Sequence, residues 1–534
     1  MKFKATGIPY KQTNSFSKLA LDYITGADAL KPFYKYFPQP EMLAAAIEAK
    51  REQKLDRNLL SDTLLLQYEG LKTTELLLEN IQLLKQADTF TITTAHQPNI
   101  FTGPFYFIYK ILHAIKLAEY CKQQFPKNNF VPVYYMGSED ADLDELGHIF
   151  LNGEKLNWDT DQTGAVGRMK VDQHLLELIK RIQSEIGVLP FGVEIGAAVR
   201  EFYTKDQTIQ NATLGFVNYL FGRYGLVIVV PDNAALKSVS IDVFKDELLN
   251  QRSSAIVEKT IQQLDNAGYK VQAHGRDINL FYLKDDGERL RIEKEGECWK
   301  VLETDIQFNE TELMDELQAH PERFSPNVIL RGLFQEMILP NIAFIGGGGE
   351  LAYWLELKNI FEHYEVAYPM LVLRNSFLVI NDKQKKQVQK SGFEVNDLFK
   401  PLLGLHSQWV QKHSDNDVTV NKSLNELKSV FENLAEQATP IDTTLRSHIY
   451  ALQKQTEKRI VEVGKKLLRA EKRNHTAAMH QIAKLKNQLF PNNNLQERID
   501  NFLPYYAAWG PQFIDALYQH SYILEQEFVV LEEG

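Results

Sequence analysis

The residues best suited to chemistry lie in Thr94-Ala95-His96-Gln97-Pro98-Asn99-Ile100-Phe101-Thr102-Gly103-Pro104-Phe105. This stretch follows the β-branched run Phe90-Thr91-Ile92-Thr93 and precedes a segment with helical spacing, Tyr106 to Tyr120. A strand that enters a helix through a polar, Pro- and Gly-bearing turn aims backbone N–H groups and a positive dipole end at one point. That arrangement suits a phosphate or a carboxylate. His96 and Gln97 are candidate catalytic groups, and Asn99, Thr102 and Gly103 are candidate substrate contacts. The competing reading is a turn capped by Asn99. The stretch contains neither a Walker loop nor G-x-G-x-x-G. Lys110 and Lys116, on the helix that follows, are read as solvated.

A second cluster is Ser138-Glu139-Asp140-Ala141-Asp142-Leu143-Asp144-Glu145, which places five carboxylates directly after the apolar run Val131 to Met136. Such density can orient an amine, hold magnesium beside a polyphosphate, or bond sugar hydroxyls. It can equally be a helix start stabilised by its dipole. Asp140 is the catalytic candidate here, with Ser138, Glu139 and Asp142 as substrate contacts.

The third is Phe344-Ile345-Gly346-Gly347-Gly348-Gly349-Glu350, a glycine loop entering a helix over 351–364. Consecutive glycines imply a demanding backbone or a closely approaching ligand, although packing alone also uses them. Gly347, Gly348, Glu350 and Tyr353 are candidate contacts. Asn327 and Arg331 upstream, and Arg374 after the next strand, are candidate partners for acidic groups through guanidinium forks; a structural ion pair is the alternative for each arginine. His274 and Asn279 could face the same cleft. No residue is assigned as a metal ligand. No Ser-His-Asp signature, C-x-x-C or H-E-x-x-H occurs.

The elements that must position these groups alternate between strand and helix, which indicates a doubly wound α/β core. The N-terminal region reads as helical over Glu41–Leu55 and Ser61–Gln86. Residues 169–222 are mainly helical, and Gly225 to Asp232 is a buried parallel strand ended by proline. Between 270 and 303 the period changes to alternation, with turns at Asp285-Asp286-Gly287 and Lys294-Glu295-Gly296, as in an inserted antiparallel meander. Pro369 to Arg374 is a further short strand.

At 534 residues the chain exceeds what one core usually holds, so roughly two or three domains are expected. The net charge of −11 argues against bulk affinity for nucleic acid. No apolar run approaches the roughly 20 residues that span a bilayer, and Met1-Lys2-Phe3-Lys4 does not open a secretory leader. Cys121 and Cys298 form no disulfide framework, which fits a reducing cytoplasm. Small-molecule chemistry in the cytoplasm, with no nucleic acid and no membrane, is the expectation.

From about 380 the sequence becomes highly charged. Leu445, Ile449, Leu452, Ile460, Val463, Leu467, Ile482, Leu485 and Leu489 follow three- and four-residue spacing, and no proline falls between Pro440 and Pro491. One continuous helix there would be about 70 Å long and would need a partner along its seam. Leu424, Leu427, Phe431 and Leu434 can supply part of it as an antiparallel arm, and a second chain the rest. The Lys465, Lys466, Arg469, Lys472 and Arg473 face reads as a solvated coiled-coil face. Phe502 to Tyr522 is expected to dock back on the core.

Several of these motifs occur together in one family. Gln97…Phe101-Thr102-Gly103-Pro104, Ser138-Glu139-Asp140-x-Asp142, Ser325-Pro326-Asn327-Val328-Ile329-Leu330-Arg331 and Gly346 through Trp354 resemble the cysteine-adding enzymes, or cysteine ligases, of bacillithiol biosynthesis. Gln12-Thr13-Asn14-Ser15-Phe16 and Leu495-Gln496-Glu497-Arg498 extend the resemblance almost end to end.

The resemblance implies a Rossmann-like nucleotidyl-transferase core similar to class I aminoacyl-tRNA synthetases, with two connective insertions and a C-terminal α-helical coiled coil that makes homodimers. The core would take 1–155, 223–265 and 323–378, and the insertions 156–222 (helical) and 266–322 (β-rich). The arm would take 379–495, and 496–534 would dock on the core. It also implies amide formation between the carboxyl of L-cysteine and the amine of glucosaminyl malate; the expected co-substrate is ATP (ADP) with magnesium as its ion, the carboxylate being activated, for example as an adenylate. The carboxylates from Glu139 to Asp142 would meet an amine or sugar hydroxyls, and the glycine loop and arginines would hold acidic groups such as malate. The runners-up are a nucleotidyl transferase acting on another small acid, and a non-catalytic dimeric scaffold.

Overall fold

The computed structural model describes residues 2–271, 275–416 and 419–534. The chain divides into two compact units, Met1–Leu378 with Asn494–Leu531, and Val379–Asn493 with Glu532–Gly534.

The first unit is built on a five-stranded parallel sheet. Its strands are β1 (Thr89–His96), β2 (Asn129–Met136), β3 (Val227–Val229), β4 (Asn341–Gly346) and β5 (Met370–Leu373), in the spatial order β5-β4-β1-β2-β3. Both faces are covered, so these strands read as continuous apolar or β-branched runs, and β4 and β5 are buried throughout. Phe90 and Ile92 of β1, Ile342 of β4 and Val372 of β5 join Leu43, Ile47 and Leu117 in one core cluster. Each such buried side chain contributes about 1.5–3 kcal/mol.

The chain winds outward from β1 to β3 and then crosses to β4 and β5 on the other side. The topological switch point therefore falls between β1 and β4, where open α/β sheets collect ligands. Register places the strand ends together: His96 lies opposite Met136, Ile345 opposite Thr94, and Gly346 opposite Leu373. Helix α1 (Tyr106–Gln124) follows β1, α2 (Val328–Ile338) precedes β4, and α3 (Gly348–His363) follows it.

The meander is antiparallel, with strands Leu280–Leu283, Arg289–Glu295 and Cys298–Val301. Phe324–Pro326 pairs antiparallel with its first strand, which ties the meander to the segment that enters α2. Helices Gln173–Ile186, Gly192–Phe202 and Ile209–Phe221 fill the region between β2 and β3.

Two expected helices are interrupted. The span from Ser61 to Gln86 is two helices, Arg57–Gln67 and Glu75–Leu83. Gly70 takes a left-handed φ of 78° between them, and the Thr74 hydroxyl accepts from Leu77 N–H to start the second. In the second unit, the long helix breaks into Leu445–Asn474 and Thr476–Leu489. The first piece is about 45 Å long. His475 (φ −111°, ψ 32°) leaves the helix there, and Thr476 Oγ1 donates to Arg473 O at 2.7 Å, a local bond that competes with the helical ladder. Gly464 stays helical. Val420 packs against it at the start of helix Asn421–Ala438, so the two helices run antiparallel.

Candidate active site

A cavity of ≈ 690 Å³ opens at the carboxyl ends of β1, β2 and β4. Its lining includes six cationic side chains, Lys110, Arg276, Arg289, Arg331, Arg374 and Arg498, against three carboxylates, Asp140, Glu145 and Glu350. That excess favours an anionic ligand.

Of the stretch from Thr94 to Phe105, the last two residues of β1, Ala95 and His96, and the first of the turn, Gln97, line the cavity. The rest of the turn is largely buried and lies outside the cavity lining. Phe101 and Thr102 have positive φ, and at Gly103 (φ 60°, ψ −137°) a Cβ would lie 2.6 Å from Asn99 Cβ, so glycine is required. Asn501 Nδ2 donates to Phe101 O at 2.9 Å and Gly103 O at 2.6 Å. Phe105 N–H, at the start of α1, donates to Asp500 O. The anion-receiving helix start expected here is thus occupied by the C-terminal segment, and Asn99, Thr102 and Gly103 lie outside the cavity lining.

His96 sits between the Tyr106 and Phe107 rings, each centroid 5.4 Å away. Among the described residues, its buried Nε2 has no hydrogen-bond partner. Burial, reinforced by the charges of Lys110 and Arg374, holds the imidazole well below the usual histidine range, so it is neutral at pH 7.

Lys110 is not solvated. It is 2% exposed, donates to Ala95 O at 2.7 Å, and pairs with Glu350 at 2.5 Å. One turn of α1 brings it under the end of β1, where it bridges the β1 turn and the glycine loop. Lys116 lies over the Tyr518 ring.

The acidic cluster divides. Asp140 faces the cavity and takes both terminal nitrogens of Arg331, with Nη1 at 2.8 Å. Burial alone would raise its pKa, but Arg331, with help from Arg289 and Gln97, keeps it below the usual carboxylate range. Glu139 turns away into a buried pair with Lys237, which also donates to Glu322 O. Ser138 is fully buried, and its carbonyl accepts from Gly167 N–H. Asp142 caps the short helix Leu143–Leu146 at the surface.

None of Gly346 to Gly349 has a positive φ among the described backbone outliers, so left-handed geometry is not why they are glycines. At Gly346 a Cβ would meet the Phe344 ring at 2.9 Å, whereas at Gly349 it would meet nothing within 4 Å among the described residues. The first is a packing glycine. The second leaves the start of α3 open to the cavity. Glu350 accepts from Gly347 N–H at 2.8 Å and receives Lys110. Tyr353 and Arg374 complete this wall. Arg374 pairs with Glu497 at 2.8 Å and stacks over Tyr106. Burial would lower its pKa, but Glu497 raises it further.

Asn327 lines the cavity, caps α2 through Ile329 N–H, and donates to Asn279 Oδ1. Asn279 is fully buried behind it, and His274 lies outside the described residues. Sequence reasoning missed Lys110, Arg276, Phe281, Arg289 and Arg498. Arg498 carried a signal in Leu495-Gln496-Glu497-Arg498. Arg289 carried only strand alternation.

Family models cover nearly all of the chain: the BshC N-terminal Rossmann-like domain matches residues 1–375, and the BshC C-terminal coiled-coil domain residues 377–533. The chain belongs to the BshC family of bacillithiol biosynthesis. A relative from Flavobacterium psychrophilum, named "Putative cysteine ligase BshC", is 40% identical over 530 residues, covering 99% of each chain. Relatives of the same name from Christiangramia forsetii and Salinibacter ruber are 38% and 30% identical, covering 99% and 95% of each chain. The Rossmann-like and coiled-coil architecture expected from sequence is that of this family. No helix among the described residues is long and apolar enough to cross a membrane.

Proposed function

We propose that this protein is a ligase that joins L-cysteine, through its carboxyl, to the amine of glucosaminyl malate, using ATP and magnesium. Family membership supports the reaction class. The observation that carries the reading is the cation-rich cavity at the switch point, which also holds a neutral, unpartnered imidazole.

The amine nitrogen attacks the cysteine carboxyl carbon, the N–C bond forms, and a carboxyl oxygen departs. ATP would activate the cysteine carboxyl so that this oxygen leaves on phosphate or AMP. The open start of α3 and the arginine-rich lining suit phosphate and carboxylate oxygens alike. The proton lost by the amine leaves with the departing phosphate or AMP oxygen or to water, and the neutral His96 ring forms the wall against which the amine is held. Asp140, fixed by Arg331, stays ionised and orients the amine together with Gln97. Catalysis comes mainly from orientation and charge stabilisation.

The second unit presents Leu445, Leu452, Val463 and Leu467 partly exposed along one helix, which supports a homodimer through the coiled coil in a cytoplasmic enzyme. Purified protein with cysteine, glucosaminyl malate and ATP-Mg, followed by mass spectrometry, tests the reaction. Bacillithiol should form only when all three are present. Its absence under every nucleotide or activated-cysteine condition rejects the reading.

A further inference from the structure

The cavity wall contributed by the meander carries charge that the protein does not balance. Arg289 is 8% exposed. Its Nε donates to Ser325 Oγ at 2.9 Å and its Nη2 to Pro326 O at 3.0 Å. The carboxylate beside Nη1 is Asp140, 4.0 Å away and already gripped by both terminal nitrogens of Arg331. Among the described residues, Nη1 has no acceptor within hydrogen-bond distance. Arg276 has no carboxylate within ion-pair distance among them either. Both guanidinium groups stand over one ring, Phe281, at 5.7 Å for Arg276 and 4.0 Å for Arg289. Burial and the like charges of Arg331 and Arg276 bring the Arg289 pKa down to about 10, despite Asp140.

Two cations held beside one aromatic ring repel each other, and the Phe281 ring offsets that only in part, so an anion that joins them is favoured. A singly charged group would neutralise only one. We propose that Arg276 and Arg289 form the seat of a doubly charged oxyanion on a substrate, either paired carboxylates or a phosphate, with the Phe281 ring backing the two guanidinium groups. The meander is then a recognition element for the charged end of the substrate, while bond formation stays at the strand ends beside His96. The seat deepens the ligase reading but does not depend on turnover.

Calorimetric titration of the full chain at about pH 8 tests it, with malate and inorganic phosphate, both dianions there, and the monoanion lactate as probes. At least one dianion should bind far better than lactate. That dianion should bind about tenfold or more weakly to Arg289→Gln and Arg276→Gln, the loss expected for a charged hydrogen bond. Loss of malate binding assigns the seat to the sugar acid; loss of phosphate binding assigns it to the nucleotide. Arg276 is exposed, so Arg276→Gln remains informative if Arg289→Gln fails to fold. Unchanged dianion binding in both variants, or no dianion binding to the unaltered protein, overturns the proposal. Intact, arginine-dependent dianion binding without any bacillithiol formation would reject the ligase reading alone.

Discussion

Glu139 and Asp140 are neighbours in the chain, yet they belong to two ionic clusters of opposite character. Glu139 joins Lys237, Asp232 and Arg168: Lys237 reaches Glu139 and lies 4.0 Å from Asp232, and Arg168 grips Asp232 with two bonds of 2.7 Å. Two carboxylates face two cations, and Lys237 is fully buried. Asp140 instead faces Arg331 and Arg289, one carboxylate against two guanidinium groups on a cavity wall. A balanced buried cluster fixes the positions of its elements. An unbalanced one at a cavity is incomplete until an anion arrives. The pattern of carboxylates after β2 is the same for both, and only their partners separate scaffold from site.

The sharpest way to break this contrast is to unbalance the scaffold cluster. Lys237→Met would leave Glu139 and Asp232 buried without their shared cation, and should cost about 3–5 kcal/mol in urea denaturation. The substrate KM values of the protein that remains folded should not change. A loss of substrate affinity with stability intact would place Lys237 in the site instead.

Asp140→Asn should show the reverse balance. Arg331 is 25% exposed, so the stability cost should be smaller, about 2 kcal/mol, while bacillithiol formation falls on the order of 100-fold. Steady-state kinetics beside denaturation curves would separate the two effects.

A smaller effect concerns pH. Asp232 is kept below the usual carboxylate range by Arg168 and Lys237, although burial opposes them, so it stays ionised as the pH falls to 5. Acid sensitivity between pH 7 and 5 should come from buried neutral histidines. His113 is 2% exposed, with Nε2 on Ile523 O and Nδ1 accepting from Asn375 N–H. Burial brings its pKa down to about 4. Because the folded form resists a proton that the unfolded chain takes up, its contribution is present above the ordinary histidine pKa and is lost as pH falls below it. The loss from pH 7 to pH 5 should be about 2 kcal/mol, and denaturation of His113→Gln at the two pH values should show that slope reduced by the same amount.

Much of the frame was legible in the sequence because a buried parallel sheet needs continuous apolar runs and each crossover needs a helix. The β1 and β2 strands, the glycine entry to α3 and the alternation of the meander all carried that mark. The partners did not. Glu139 meets Lys237 only because β2 ends beside the segment after β3. Arg289 reaches the cavity because Phe324–Pro326 zips the meander onto the start of α2. Periodicity indicates which face of an element is apolar, but the burial of Lys110 depends on two strand ends closing over it. The break at His475, with the Thr476–Arg473 hydroxyl–carbonyl bond beside it, is too local for a long apolar pattern to reveal.

The most direct test of the contrast between the two clusters is a crystal structure of the protein with glucosaminyl malate bound. The account predicts the ligand in the cavity at the β1–β4 switch point, with its amine beside His96 and its nearest charged neighbours among Arg276, Arg289 and Arg331, while Glu139 and Lys237 remain paired and untouched. Density for the ligand at any other place, or a ligand that engages Glu139 and leaves the arginines unpaired, would contradict it.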